Sequence, residues 1–245
     1  MLALLHGFLL DSRMWRPQLE DLSADFTVIA WDAPGAGDSA DPPGEFTTAD
    51  WADSLAGLLD AVGVDRAHIL GLSWGGIVAQ ELYRRHPARF RSLVLAGTYA
   101  GWKGSLPESV CQERIETCLR DSSLPPDELV AKYVPSMFGR AAADDVRLEL
   151  SAAMAHFHPL GFRLMAMSSA ESDTRDVLAT IRVPTLLVWG DEDARSPLSV
   201  AHQFSNAIPG SRLAVIPEAG HVSNLEAPER FNAEVRTFYR SLTSS

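Results

Sequence analysis

The sequence predicts an α/β fold: a mostly parallel sheet with helices on both faces, interrupted by one all-helical insertion. Three observations predict it. Short apolar, β-branched runs of strand length alternate with longer amphipathic segments along most of the chain. Those runs are continuously apolar, as strands are when both faces of a sheet are covered. From about Gly101 to Ser172 the alternation stops, leaving helical patterns punctuated by "LPE", "LPPDE", "VPSMFG" and "HFHPLG".

The predicted strands are Ala3–Leu5, Thr27–Trp31, Ala67–Leu72, Ser92–Ala96, Thr185–Trp189 and Arg212–Ile216. Between them the 3.6-residue period predicts helices near Met14–Leu22, Thr48–Val62, Gly75–Arg85, Leu198–Ala207 and Pro228–Tyr239. In "FTTADWADSL" either Thr47 or Thr48 is placed to cap the second helix, and Pro87 closes the third. Ligands of open α/β sheets bind beyond the carboxyl ends of the strands. An insertion lying there would be a cap, giving a core of residues 1–100 and 173–245 and a cap of residues 101–172.

Composition narrows the function classes. The 245 residues are 46% hydrophobic, enough for one sizeable core, and the net charge of −11 comes without any basic run. Nucleic acid and anionic membranes are therefore poor partners. No apolar stretch approaches the roughly 20 residues that span a bilayer. The opening "MLALLHGF" lacks the basic start and cleavage site of a signal peptide, and reads as a buried strand of a cytoplasmic protein. Cys111 and Cys118 fall on one helical segment about 10 Å apart along its axis, beyond disulfide reach, and read as plain thiols.

Chemistry concentrates at "ILGLSWGGIVAQ". A glycine-rich turn with a capping serine would also carry G-x-S-x-G. The strand before and the helix after point instead to a sharp elbow that holds the Ser73 hydroxyl clear of the sheet as a nucleophile. A serine nucleophile needs a base. Of the seven histidines, His221 stands apart: "IPEAGHVSNLEAPERF" puts it in a glycine-containing loop between a strand and a helix begun by Pro228. His156 and His158 lie in the insertion, where they could touch a substrate or simply pack. The acid falls in "TLLVWGDEDARSP", which offers Asp191 and Asp193 just past a strand end. An oxyanion hole would take the backbone N–H of Trp74, the residue after the nucleophile, and one from "HGFLL", at Phe8. The Trp74 ring is then free to pack. No cluster has metal-ligand spacing, so no cofactor is implied.

Together these residues resemble the α/β-hydrolase superfamily. "HGF", "DAPGAGDS", "GLSWGG", "WGDEDARSP" and "AGHVSNLEAPE" occur in that family's order and at its usual separations, over residues 1–100 and 175–240. "HGFLLDSRMWRPQLEDL", "LLDAVGVDRAHILGLSWGGIVAQ" and "GHVSNLEAPERF" are similar to the 3-oxoadipate enol-lactonase branch, whose members are cofactor-free and cleave small lactones or esters. The resemblance implies Asp193 as the acid, with Phe8 and Trp74 as oxyanion donors. Serine rather than aspartate at 73 separates the chain from epoxide hydrolases and haloalkane dehalogenases. Two departures stand out. Trp74 replaces the methionine or leucine more usual in that branch. The two strands that usually precede the oxyanion loop are absent, which would leave one sheet edge shorter and more exposed.

The expected activity is hydrolysis of a small-molecule ester or lactone. A C–C bond hydrolase or lyase and a peptidase could use the same triad. A ligand-binding receptor could use the same fold.

Overall fold

Six strands pair side by side, all parallel, in the order β2-β1-β3-β4-β5-β6. They are β1 (Leu2–Leu5), β2 (Val28–Trp31), β3 (Ala67–Leu72), β4 (Phe90–Ala96), β5 (Thr185–Gly190) and β6 (Arg212–Ile216). The computed structural model describes residues 1–243. The intervening helices are α1 (Arg16–Leu22), α2 (Thr48–Ala61), α3 (Trp74–Arg85), α4 (Trp102–Ser105), α5 (Glu108–Asp121), α6 (Pro126–Tyr133), α7 (Asp144–Met154), α8 (Pro159–Glu171), α9 (Arg175–Leu178), α10 (Leu198–Ala207), α11 (Ser223–Glu226) and α12 (Pro228–Thr243).

Alternation along β3 shows why most strand residues on both faces are apolar. His68 packs against Tyr239 of α12, with ring centroids 4.7 Å apart, whereas Gly71 lies against the start of α3. Residues 68 and 71 point to opposite faces of a strand, so α12 and α3 cover opposite faces of the sheet. Every residue of β1 and β5 is accordingly buried, while Val28, Ile29 and Ala30 on the edge strand β2 are half-buried.

One local detail differs from the sequence expectation, and one open alternative is resolved. The predicted helix over 14–22 is split into a 3₁₀ turn, Ser12–Trp15, followed by α1. Pro17 is the cause: it has no N–H to donate back to Arg13, so the α-helical pattern starts only at Arg16. Thr47, not Thr48, caps α2, in a reciprocal box with Asp50: its backbone N–H donates to the carboxylate at 2.8 Å, and its hydroxyl accepts from the Asp50 N–H.

Strand order locates the site. From β1 the chain moves outward to β2, but from β3 it moves the other way to β4. The loops leaving the neighbouring strands β1 and β3 therefore diverge and open a crevice between them, the usual ligand position in a doubly wound sheet. The loop beginning at His6 and the turn at Ser73 lie there. Helices α4 to α8 fill residues 102–171 and pack over this end. Phe162 of α8 stacks on Phe8 at 4.9 Å, and a Cβ on Gly161 would come within 1.9 Å of the Gly35 carbonyl oxygen. None of the described helices is long and apolar enough to cross a membrane.

His68 makes stability pH-dependent in a predictable direction. Burial pushes its pKa down to about 4, while the ring bonds the Ser92 hydroxyl at 2.8 Å. The folded state thus holds His68 neutral where the unfolded chain, with an ordinary value near 6.5, takes up a proton. Its contribution is present above about pH 6.5 and lost as the pH falls towards 4. Urea midpoints at pH 7 and pH 4.5 should differ less for His68→Gln than for the unaltered protein. An unchanged difference would refute this assignment.

Candidate active site

Ser73 sits between β3 and α3 with φ +55° and ψ −118°, a left-handed conformation that non-glycine residues rarely adopt. The surrounding glycines are required by contact. A Cβ on Gly71 would lie 2.4 Å from the Gly75 oxygen, and one on Gly75 would lie 2.4 Å from the Leu5 oxygen. The start of α3 therefore rests directly on the backbone of β1 and β3. Thr98 donates its hydroxyl to the Ser73 carbonyl at 2.6 Å and steadies the turn from the side of β4. The Ser73 hydroxyl itself has no hydrogen-bond partner among the described residues.

Asp193 and His221 meet although they come from different turns. His221 Nδ1 lies 2.9 Å from Asp193 Oδ2 and 3.1 Å from Oδ1, and both residues are buried. The carboxylate is fixed before it meets the ring, since Oδ1 also accepts the backbone N–H groups of Arg195 at 2.9 Å and Ser196 at 2.8 Å. An acceptor facing Nδ1 holds the proton on that nitrogen and leaves Nε2 free to act as a base. Asp191 is exposed and accepts the Glu218 N–H at 2.7 Å, so it braces the neighbouring turn instead. The His221 loop is held from two sides. Its backbone N–H donates to the Met137 carbonyl at 2.9 Å, and Glu226 accepts from Gly139 N–H at 2.7 Å and Gly220 N–H at 2.9 Å. Burial raises the pKa of the Glu226 carboxyl.

Ser73, His221, Phe8 and Trp74 line one pocket, with Tyr99, Trp102, Arg114 and Arg195 on its other walls. The backbone N–H groups of Phe8 and Trp74 have no acceptor among the described residues; Trp74 opens α3, where no intrahelical partner exists. The loop carrying Phe8 is shaped by His6, which is fully buried. Its Nδ1–H donates to the Gly7 carbonyl at 2.8 Å, and its Nε2 accepts from Ala33 N–H at 3.2 Å. Burial lowers its pKa, in keeping with a neutral ring.

The Trp74 ring braces the elbow. It meets Trp51 edge-on at 5.1 Å, and its indole N–H donates to the Ser168 hydroxyl of α8 at 3.2 Å. The two insertion histidines were expected as possible substrate contacts, but they line a different cavity with Asp11, Arg13 and Asp32. His158 clasps the loop after β2, with Nδ1 2.7 Å from an Asp41 carboxylate oxygen and Nε2 3.0 Å from the Gly37 carbonyl. His156 Nδ1 bonds the end of the preceding α7, at the Ala152 carbonyl, 2.8 Å away. The α7–α8 turn docks on the β2 loop, which carries both rings away from Ser73. The arginines are what sequence reading missed. Arg195 falls within "WGDEDARSP", and Arg114 lies on the helical segment that carries both cysteines. Burial raises both thiols, Cys111 and Cys118, and they are free.

Fold and pocket together define a hydrolase of the doubly wound α/β type. The chain belongs to the alpha/beta hydrolase family, whose model matches residues 2–234. A protein of Caulobacter sp. (strain K31) that carries the name carbamate hydrolase RutD is 33% identical over 91% of this chain and 84% of its own. The pimeloyl-[acyl-carrier protein] methyl ester esterase of Vibrio parahaemolyticus is 30% identical over 97% of this chain and 93% of its own. Among solved structures, a thermophilic esterase from Thermogutta terrifontis with malate bound superposes with a TM-score of 0.92 at 32% identity, covering 98% of this chain and 89% of that one. The resemblance to the 3-oxoadipate enol-lactonase branch also holds, at 27% identity to the enzyme of Acinetobacter baylyi over 95% of this chain and 85% of that one.

Ser168→Ala would leave the buried Trp74 N–H without an acceptor. That should cost about 1–3 kcal/mol. Urea unfolding that shows no loss would mean the indole is not held through this contact.

Proposed function

We propose that the protein is a serine hydrolase of small carboxylic esters or lactones, working through Ser73, His221 and Asp193 beneath a helical cap of residues 101–172. The observation that carries this reading is one pocket that collects a strained, unbonded serine, a histidine anchored to a buried carboxylate, and two unpaired amides. Ser73 attacks the substrate carbonyl while His221 Nε2 takes the hydroxyl proton. The tetrahedral oxyanion accepts from the Phe8 and Trp74 N–H groups, and the α3 N-terminus adds its dipole. His221 then returns the proton to the leaving alkoxide, giving an acyl-enzyme. Water, deprotonated by the same ring, releases the acid and regenerates Ser73. Asp193 orients the imidazole and stabilises its cation. Ser73 and His221 line the same pocket, and a nucleophile–base hydrogen bond of this kind commonly tightens with substrate.

The carbamate-hydrolase name among the relatives supports a second substrate class on the same machinery. A carbamate that expels its alcohol in the first step would pass through a carbamoyl-enzyme, and one that expels its amine would leave a carbonate ester on Ser73. The two free thiols fit a reducing compartment such as the cytoplasm.

Ser73→Ala should lower kcat on the order of 10⁶-fold and abolish labelling by a fluorophosphonate probe, with circular dichroism unchanged. Persistent labelling would exclude Ser73 as nucleophile. A screen of p-nitrophenyl esters, small lactones and carbamates then ranks the substrate classes.

The two turn carboxylates should separate sharply. Asp193→Asn should cost up to about 10⁴-fold in kcat, because the imidazole loses its orienting anion. Asp191→Asn should cost far less, since its partner is the Glu218 N–H. Equal losses would mean that Asp193 does not act through His221.

A further inference from the structure

The nucleophile pocket is narrow, about 30 Å³, and adjoins a larger chamber of about 250 Å³. The outer chamber is lined by Cys118, Tyr133 and Ser136 of the insertion, and it shares Phe8, Trp102, Arg114 and Arg195 with the inner one. The two arginines thus stand at the junction through which a ligand in the outer chamber reaches Ser73.

Neither guanidinium has a carboxylate in contact among the described residues, although the charge of Asp193, which is held by the Arg195 and Ser196 backbone N–H groups, reaches Arg195. Among the described residues no carboxylate forms an ion pair with Arg114 or Arg195, and no Asp or Glu lines either chamber. In a chain with 32 acidic residues against 21 basic ones, that is the reverse of the average surface. Arg114 lies 5.7 Å from the ring centroids of both Tyr99 and Trp102. Arg195 lies 6.0 Å from the Tyr133 ring and donates to the Ser136 hydroxyl at 2.8 Å. Burial, and secondarily the charge of Arg114, lowers the Arg195 pKa. Two cations held close by aromatic walls, each with donors to spare, form a site that an anion would complete.

We propose that Arg114 and Arg195 form a carboxylate-reading subsite at the junction, so that the preferred substrate is an anionic ester, lactone or carbamate with its carboxylate remote from the scissile carbonyl. The inference rests on the proposed Ser73 chemistry for its kinetic arm. The planar guanidinium forks suit a carboxylate geometrically. Holding that end in the outer chamber directs the carbonyl into the inner one, and binding energy from the remote group serves to position the reacting bond. Neutral esters of the same length lack this hold.

The test compares monomethyl glutarate with methyl pentanoate, a neutral ester of the same chain length. The half-ester should have a kcat/KM at least about tenfold higher at low salt, and the advantage should shrink with added NaCl. Arg114→Gln and Arg195→Gln should each reduce the half-ester to neutral-ester ratio by about tenfold or more, with Arg→Lys restoring part of it. A ratio at or below one in the unaltered protein overturns the proposal. So does a high ratio that neither arginine variant changes. If an arginine variant fails to fold, competitive inhibition of the unaltered protein by glutarate against glutaramide gives the answer: equal inhibition overturns it. If neither ester is turned over, these acyl chains are not substrates, and Ser73 is judged separately by fluorophosphonate labelling. Calorimetric binding of glutarate, with its loss in Arg114→Gln, then still decides the subsite.

Discussion

The site depends on how closely the start of α3 rests on the carboxyl ends of β1 and β3. Gly75 lies against the carbonyl oxygens of Leu5 and His6, and Gly71 against that of Gly75, at distances that leave no room for a Cβ. This contact forces the reversal at Ser73, with its positive φ, and turns the first amides of α3 towards the crevice. It also brings Trp74 beside the His6 loop, whose own course is set by the buried imidazole, so the Phe8 and Trp74 N–H groups share one pocket. A bulkier residue at either glycine would separate the strand ends, and everything built on the elbow would move with them.

The insertion is fastened to that same elbow. Ser168 accepts from the Trp74 indole, Phe162 stacks on Phe8, and Gly161 touches Gly35. Met137 and Gly139 bind the loop that carries His221, directly and through Glu226. Movement of the insertion is therefore coupled mechanically to both the serine turn and the histidine loop. Within the insertion, buried Asp121 ties Lys132 at 2.6 Å and the Tyr133 hydroxyl at 2.8 Å, joining α5 to α6 beside the outer chamber. That bond keeps Tyr133 in the wall against which Arg195 lies.

Electrostatics divides the region in two. Behind the pocket, the Asp193 carboxylate is held by two backbone N–H groups and His221, and its charge also reaches Tyr99, Arg195 and Glu226. In front, the arginines have no such partner among the described residues. Arg195 belongs to both halves: its backbone holds the acid and its side chain faces the chambers.

The sequence by itself determined the alternation of strands and helices, the helical insertion, and the order of a serine turn at Ser73, a strand-end turn carrying Asp191 and Asp193, and a glycine-containing loop carrying His221. Those features are written in local patterns: apolar runs, helical periodicity, and glycines flanking one serine. The bounds of β3 and β6 match the expectation because polar or turn residues bracket each: Asp65 and Arg66 precede β3 and Ser73 follows it, while Gly210 and Ser211 precede β6 and Pro217 follows it. What only the tertiary structure decided is where side chains separated in sequence come together. Asp191 and Asp193 are equivalent as turn residues, and only the fold aims one at His221 and the other at the Glu218 N–H. His156 and His158 shared the insertion with the site but were carried off by the docking of a turn. Arg114 and Arg195 gave no local sign of their meeting, because a helix face and a strand-end turn carry no record of the chamber they will share. Periodicity fixes which elements form; the packing of one element on another decides which side chains share a pocket.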